Sequence, residues 1–234
     1  LPKLGGGWKV LKALVLMFNI EFLKEAMVVL SNREGSFFKK VRMLAGIWSS
    51  ATRIKNYINK NYDLSDYSAL YSYWFDNRAL ACVMLKKQYP HLKIVTRAHG
   101  GDLYKNANPA RYQPAKLYMD KNIDMIAFVS RHGLEYYRTH FSGPGTKKCN
   151  LFHLGVKKNM EPSEISYAKR GYVKALSISN LVPVKRIHLL IEALSGLEIE
   201  IEWTHFGSGP EDEALREMAH NRLDEKNNIK YRFA

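Results

Sequence analysis

Cysteine is scarce in this chain of 234 residues: Cys82 and Cys149 stand alone, at no spacing that suits a metal. The pair excludes a disulfide scaffold and reads as two buried, reduced thiols of a cytosolic protein. Long apolar runs are missing as well. The apolar patch over residues 10–20 is broken by Lys12 and Asn19 and bounded by Lys9 and Glu21. It is too short and too polar to span a bilayer, no small-residue cleavage site follows it, and it reads as part of a core helix. Any membrane attachment is therefore expected to be peripheral. No H-E-x-x-H, G-x-S-x-G or Walker loop occurs, nor a solenoid repeat or low-complexity tract. The run Gly5, Gly6, Gly7 follows no strand and opens no helix, so it reads as a linker. Acidic residues are few, 22 against 36 lysines and arginines, giving a net charge of +14. That balance favours a polyanionic partner: nucleic acid, an anionic membrane surface or a phosphorylated substrate.

What is present organises into two parts. A hydrophobic content of 46% and a charged content of 25% are those of a soluble globular protein of one large or two small domains. Residues 1–61 are helical by period, with Val10, Leu14, Met17 and Phe18 recurring, then Phe22, Ala26, Val29 and Leu30. Residues 37–60 form a basic amphipathic helix. Phe37, Val41, Leu44, Ile47 and Trp48 share its apolar side, and Lys39, Lys40, Arg42, Arg53, Lys55 and Lys60 supply charge. Such a helix can lie on an anionic leaflet, or it can turn its apolar face to the core and solvate its lysines.

From Tyr67 the pattern alternates. Strands are expected at 69–75, 92–98, 123–129 and 149–154. Between them come a helix capped by Asp76, a helix over 110–121 and a helix over 131–140, with a turn at 142–146. This succession predicts a parallel sheet with helices on both faces. Residues 1–156 read as one domain, 157–172 as a linker and 173–234 as the start of a second. The second domain is expected to run strand 173–179, helix 183–194, strand 197–206, helix 210–222 and strand 228–233.

Three stretches can carry chemistry. Residues 173–194 read as strand, turn and helix, with Pro183 at the first helical position and Ile187, Leu190, Ile191 and Leu194 on one face. The turn then offers free amides, a positive helix end and the cations Lys185 and Arg186, which together suit a phosphate. The same pattern also suits an ordinary strand–helix connection with Lys185 in water. Residues 97–104, RAHGGDLY, follow a strand, where ligands of open α/β sheets sit. His99 can donate a hydrogen bond or exchange a proton there, unless it is a satisfied core ring and Asp102 a simple cap. The turn Gly207-Ser208-Gly209-Pro210 lacks the third glycine of a dinucleotide fingerprint. His188, His205 and His220 read as surface or core residues.

These residues resemble glycosyltransferases of family four, which have the GT-B fold. The resemblance rests on Leu181, Pro183, Lys185 and Leu190-Ile191-Glu192-Ala193-Leu194, on Tyr71-Ser72-Tyr73-Trp74, and on Arg97 through Tyr104. It extends through Phe128-Val129-Ser130 with Gly133 and Tyr137, Leu154-Gly155-Val156, and Gly207-x-Gly209-Pro210. The order is that of members which assemble bacterial polysaccharides. Asn180 stands where many members have arginine, and Arg186 where glycine is frequent.

The resemblance implies an α/β, GT-B-like fold of two Rossmann-like domains with parallel sheets, the second incomplete. It implies retaining, metal-independent transfer of a sugar from a nucleotide-sugar to a lipid-linked or oligosaccharide acceptor in surface polysaccharide biosynthesis. The nucleotide-sugar is a substrate and no cofactor is expected. In this reading Lys185 and Arg186 meet the donor diphosphate and Gly207 and Gly209 lie beside its nucleotide. His99 lines the reacting sugar, and Asp102 and Ser130 stand on the acceptor side. The family's paired-glutamate motif would lie beyond Ala234, so the sequence is expected to be a fragment, inactive alone. The partners expected are the donor, the acceptor and an anionic membrane surface on the cytoplasmic side, with no nucleic acid. The alternative is a basic, non-catalytic module that docks nucleic acid or a membrane.

Overall fold

The computed structural model describes residues 19–31, 34–142, 147–155 and 171–234. The expectations for Val10 through Phe18, the three N-terminal glycines, most of the 142–146 turn and residues 157–170 lie outside the described residues. The chain divides into two compact units, Leu1–Val156 and Lys157–Ala234.

The first unit opens with α1 (Ile20–Ser31) and α2 (Phe37–Asn61). Asn19 starts α1: its side-chain oxygen accepts from the amides of Glu21 and Phe22, both at 3.1 Å. Helix α2 turns Leu44, Trp48 and Ala51 into the core. The apolar side expected to suit a leaflet is thus largely the core side. Lys40, expected among the solvated cations, is fully buried.

Four strands follow: β1 (Ala69–Ser72), β2 (Lys93–Ala98), β3 (Met125–Phe128) and β4 (Cys149–Leu151), parallel and ordered 1-2-3-4. Between and beside them lie α3 (Asn77–Lys86), the single turn α4 (Gly100–Leu103), α5 (Lys116–Asn122) and α6 (Arg131–Tyr137). As its sequence predicts, Asp76 caps α3, accepting from the Arg78 amide at 2.9 Å. Helix α5 starts later than expected. Its approach carries two residues in left-handed conformation, Arg111 (φ 47°) and Ala115 (φ 59°). Pro114 also disfavours helix at Gln113, and Gln113 instead donates to the carbonyls of Gly101 and Tyr104.

The second unit holds β5 (Val173–Ile178), β6 (Ile201–Phe206) and β7 (Ile229–Phe233), parallel and ordered 5-6-7, with α7 (Ile187–Ser195) and α8 (Asp212–Leu223). Ile187, Ile191 and Leu194 of α7 pack with Leu215, Ala219 and Leu223 of α8 on Trp203 and Phe233. The strand expected from residue 197 begins at Ile201. Asn228 holds the carbonyls of Leu197 and Ile199, each at 2.9 Å, and keeps that stretch out of the ladder.

Helices on both faces were expected; the described helices cover one face of each sheet. The strand order is the reason. When each strand is added on the same side of the last, right-handed crossovers place every connection on the same face. The burial pattern agrees. Ile94, Thr96, Ala98, Ile126 and Phe128 are buried; on the other side Ala127 is buried too, but Val95, Arg97 and Met125 are half-buried and Tyr71 is exposed. In the second sheet Trp203 and His205 are buried, while Leu176, Ile178 and Phe206 are exposed.

Candidate functional site at the strand ends

At the carboxyl edge of the first sheet, the chain leaves β1 through Tyr73 and Trp74 and leaves β2 through His99. The β1 turn is pinned by hydroxyls. Ser72 donates to the Trp74 carbonyl at 2.6 Å, and Thr96 donates to the carbonyls of Ser72 and Trp74 at 3.2 and 3.3 Å. The His99 ring lies 4.4 Å from that of Trp74 and 5.0 Å from that of Tyr73, centroid to centroid. Both of its nitrogens are buried and neither has a hydrogen-bond partner. A buried polar atom without a partner carries its desolvation penalty uncompensated, and such atoms in a folded protein call for an explanation.

Asp102 sets this arrangement. One carboxylate oxygen accepts from the His99 amide at 2.6 Å and the other from the Phe75 amide at 2.8 Å. The carboxylate thus joins the exits of β1 and β2. Lys116, fully buried, donates to the Phe75 carbonyl and places its ammonium 3.7 Å from the centre of the Phe75 ring. Phe75 is therefore held at its amide, its carbonyl and its ring. Burial raises Asp102 above the usual carboxylate range, with Lys116 opposing. Burial also pushes Lys116 down to about 8, against the pull of Asp102, Asp76 and Glu25. A groove of about 500 Å³ runs between α2 and these exits, with Trp74, Gly101, Asp102 and Lys116 on one side and Gly46 and Ile47 on the other.

Ser130 begins α6, its hydroxyl accepting from the Gly133 amide at 3.1 Å. A Cβ at Gly133 would lie 3.1 Å from Leu103 and 3.2 Å from the Ser130 hydroxyl, so α6 and α4 approach closely there. The first unit thus brings His99, Asp102 and Ser130 to one sheet edge. His99 is the one whose side chain makes no hydrogen bond; its Nδ1 lies 3.8 Å from an Asp102 carboxylate oxygen.

In the second unit, the turn after β5 differs from expectation. Pro183 opens a 3₁₀ turn, Pro183–Lys185, and Arg186 adopts a left-handed conformation (φ 54°) before α7 begins at Ile187. The amides of Val182, Lys185 and Arg186 are already donated within the turn. What the turn still offers an anion is the Lys185 and Arg186 side chains, both exposed, and the first amides of α7.

The neighbouring turn after β6 packs backbone to backbone against it. A Cβ at Gly207, where φ is +150°, would fall 1.9 Å from the Ser179 carbonyl oxygen, and one at Gly209 would fall 2.3 Å from that of Leu181. Leu181 donates to the Ser208 carbonyl at 3.0 Å and Glu211 to the Leu181 carbonyl at 3.2 Å. The two glycines therefore serve the contact between the turns.

Beneath these turns, His205 is fully buried and fully satisfied. Its Nε2 donates to the Ser179 carbonyl at 3.1 Å, and its Nδ1 accepts from the Ser177 hydroxyl at 2.7 Å. That hydroxyl in turn accepts from the Trp203 indole at 2.9 Å.

No family model and no curated protein matches the chain. Solved structures match its fold. The structure of Anabaena HepE in complex with UDP and glucose is 15% identical with a TM-score of 0.56, covering 79% of this chain and 51% of that one. The same protein in complex with UDP-glucose gives 16% and 0.53 over the same shares. A point mutant of S. aureus TarM, in complex with fondaparinux, alpha-GlcNAc-glycerol and UDP, gives 15% and 0.56, covering 79% and 36%. The chain spans about half the length of the first of these or less. The fold is α/β and GT-B-like, with parallel sheets in two Rossmann-like units. Among the described residues, no helix is long and apolar enough to cross a membrane.

Proposed function

We propose that this chain is part of a glycosyltransferase of family four that takes a nucleotide-sugar as donor. The observation that carries the reading is the pair of exposed cations, Lys185 and Arg186, on the turn after the first strand of the second unit. The fold adds support: HepE and TarM, which share it, were solved with UDP or UDP-glucose. In the reaction, negative charge develops on the leaving diphosphate, and the two cations neutralise it there. His99 meets the reacting sugar, where its unpartnered nitrogens find the hydrogen bonds they lack within the protein. Asp102 is a positioning residue for His99, and the groove beside Trp74 takes a lipid-linked or oligosaccharide acceptor. Transfer proceeds with retention and without a bound metal, in surface polysaccharide assembly. An exposed apolar stripe, Ile20, Leu23, Met27 and Leu30 on α1 with Phe38 on α2, supports peripheral attachment to the inner face of the membrane, with Lys39 and Arg42 as cations.

The test is calorimetric titration of the chain with nucleoside diphosphates, beginning with UDP. Lys185→Ala is expected to weaken the preferred diphosphate about tenfold or more, the loss of one charge-assisted contact. Undiminished binding in that variant overturns the donor assignment. The net charge of +14 favours a second reading, a non-catalytic polyanion binder. That reading expects duplex DNA to bind with steep salt dependence and no nucleotide preference.

A further inference from the structure

A second cavity, of about 600 Å³, lies in the first unit and takes no part in the transfer reading. One wall is a ladder of rings on the helical segment that begins with α6. His132, Tyr136 and His140 recur every fourth residue and so share one side of it. The opposite wall is Tyr104, Lys105 and Asn106 from the end of α4 and the turn after it. Arg111 and Glu34 complete the lining.

The rings are held in place. Tyr104 hydrogen-bonds His132 Nδ1 through its hydroxyl at 2.7 Å, and its ring meets that of Tyr136 edge-on at 4.8 Å. The Tyr136 hydroxyl accepts from the Lys105 amide at 3.0 Å, and the His140 ring stacks on Tyr136 at 4.0 Å. Arg111 is held in its left-handed conformation by Asn108, whose carbonyl accepts the Arg111 amide and whose side chain binds the Ala110 amide and the Tyr112 carbonyl. A non-glycine residue in that conformation is strained, and such strain persists where surrounding contacts enforce it.

The polar ends that line this cavity are left available. The Arg111 guanidinium makes no hydrogen bond or ion pair among the described residues. Among the described residues, the Lys105 ammonium meets the Phe141 ring, 5.6 Å away, and makes no hydrogen bond or ion pair. A phenol donating to His132 Nδ1 leaves that ring's proton on Nε2, which has no partner. His140 Nδ1 faces the Tyr136 carbonyl at 2.8 Å and can only donate to it, so Nε2 is the position at which His140 gains a proton. Against these four stands one carboxylate, Glu34, which has a partner of its own.

We propose that this cavity binds the phosphate or diphosphate group of a larger ligand. A guanidinium, an ammonium and two imidazoles match an anion with several acceptor oxygens, and the guanidinium can engage two of them at once. The volume is that of a small-molecule site and exceeds the needs of the anion alone, so the ring ladder faces the remainder of the ligand. The inference uses none of the donor turn and stands apart from the transfer reading.

The test is calorimetry with inorganic pyrophosphate on the chain carrying Lys185→Ala and Arg186→Asn, so that the cations of the donor turn do not contribute. Adding Lys105→Gln with Arg111→Asn is expected to weaken binding about tenfold or more; asparagine tolerates the left-handed conformation. A charge-matched control, Arg53→Gln with Lys60→Gln at exposed positions of α2, is expected to bind like the parent. Vesicles of phosphatidylcholine with and without phosphatidic acid identify the source of the phosphate. Loss of pyrophosphate and of phosphatidic acid binding together assigns a lipid headgroup, and loss of pyrophosphate binding alone assigns a soluble ligand. Equal affinity in the cavity variant and the control, or no pyrophosphate binding by the parent, overturns the site.

Discussion

Each parallel sheet carries a histidine near its carboxyl edge with its ring nitrogens buried, and the two differ in their surroundings. His205 spends both ring nitrogens within the protein, in a chain of donors that runs from Trp203 through Ser177 to the Ser179 carbonyl. His99 spends neither, although its side chain is only 12% exposed. Burial alone therefore does not distinguish the two rings; the unmet hydrogen-bond capacity does. The same contrast extends to the turns. The second edge is closed by backbone packed on backbone, with the Ser179 hydroxyl its one orphan side-chain group among the described residues. The first edge is built around a carboxylate and a lysine that hold the buried Phe75 in place, next to the exposed rings of Tyr73 and Trp74.

The strongest way to break the second edge is Gly207→Ala. The new Cβ would meet the Ser179 carbonyl oxygen at 1.9 Å, and the φ of +150° admits no ordinary side chain. The carbonyl cannot retreat, because the Ser179 amide donates to the Phe206 carbonyl at 3.1 Å and the Ser179 carbonyl accepts from His205. A loss of about 4 kcal/mol or more is expected in denaturant unfolding followed through Trp203 fluorescence. A loss under about 1 kcal/mol would show that the two turns part easily and that Gly207 is kept for a ligand.

The counterpart at the first edge is Lys116→Met. It takes the donor from the Phe75 carbonyl and a cation from the surroundings of Asp102, with an expected cost of about 3 kcal/mol at neutral pH. The pH dependence is specific. Lys116 titrates near 8 in the folded chain and near 10.5 as a free side chain. Between those values the unfolded chain holds a proton that the folded chain has released, so stability rises with pH through this group. The difference between parent and variant is expected to widen from pH 8 toward 10.5 in urea unfolding. A constant difference would mean that the ammonium is solvated. The tyrosines raised by burial, such as Tyr137, act in both chains alike and cancel.

What the sequence disclosed is mostly local. Asp76 as a cap, the apolar face of α7 and the order of strands and helices follow from spacing within one or two turns of chain. What it hid depends on distant partners. Asp102 reads as a helix cap and does take the His99 amide, but its second partner is the Phe75 amide, 27 residues earlier. Lys40 reads as a solvated charge and is buried, and Lys116 is buried with no local sign of it in the sequence. Residues 110–115 have a helical composition that Pro114 and two left-handed residues override. The one-sided cover of both sheets follows from strand order, which no segment encodes by itself. The His132, Tyr136, His140 ladder was readable as a four-residue period. Its meaning comes from Tyr104 and Lys105, which only the fold places opposite.

The smallest expected effects test the comparison itself. His205→Leu leaves the Ser177 hydroxyl and the Ser179 carbonyl without their partner, and a loss of about 2 kcal/mol is expected. His99→Phe removes no hydrogen bond, only the 3.8 Å approach of Nδ1 to Asp102, and keeps a flat ring against Tyr73 and Trp74. Its stability is expected to match the parent within about 0.5 kcal/mol, or to exceed it, because two uncompensated nitrogens leave the interior. Sugar transfer by the whole protein carrying the same change is expected to fall about a hundredfold, the loss of one positioned proton donor or acceptor. The two measurements together separate the roles. Lost stability with retained transfer would make His99 a core ring like His205, and the site would then lie elsewhere. Retained stability with lost transfer ties the unmet hydrogen bonds of this imidazole to the reacting sugar.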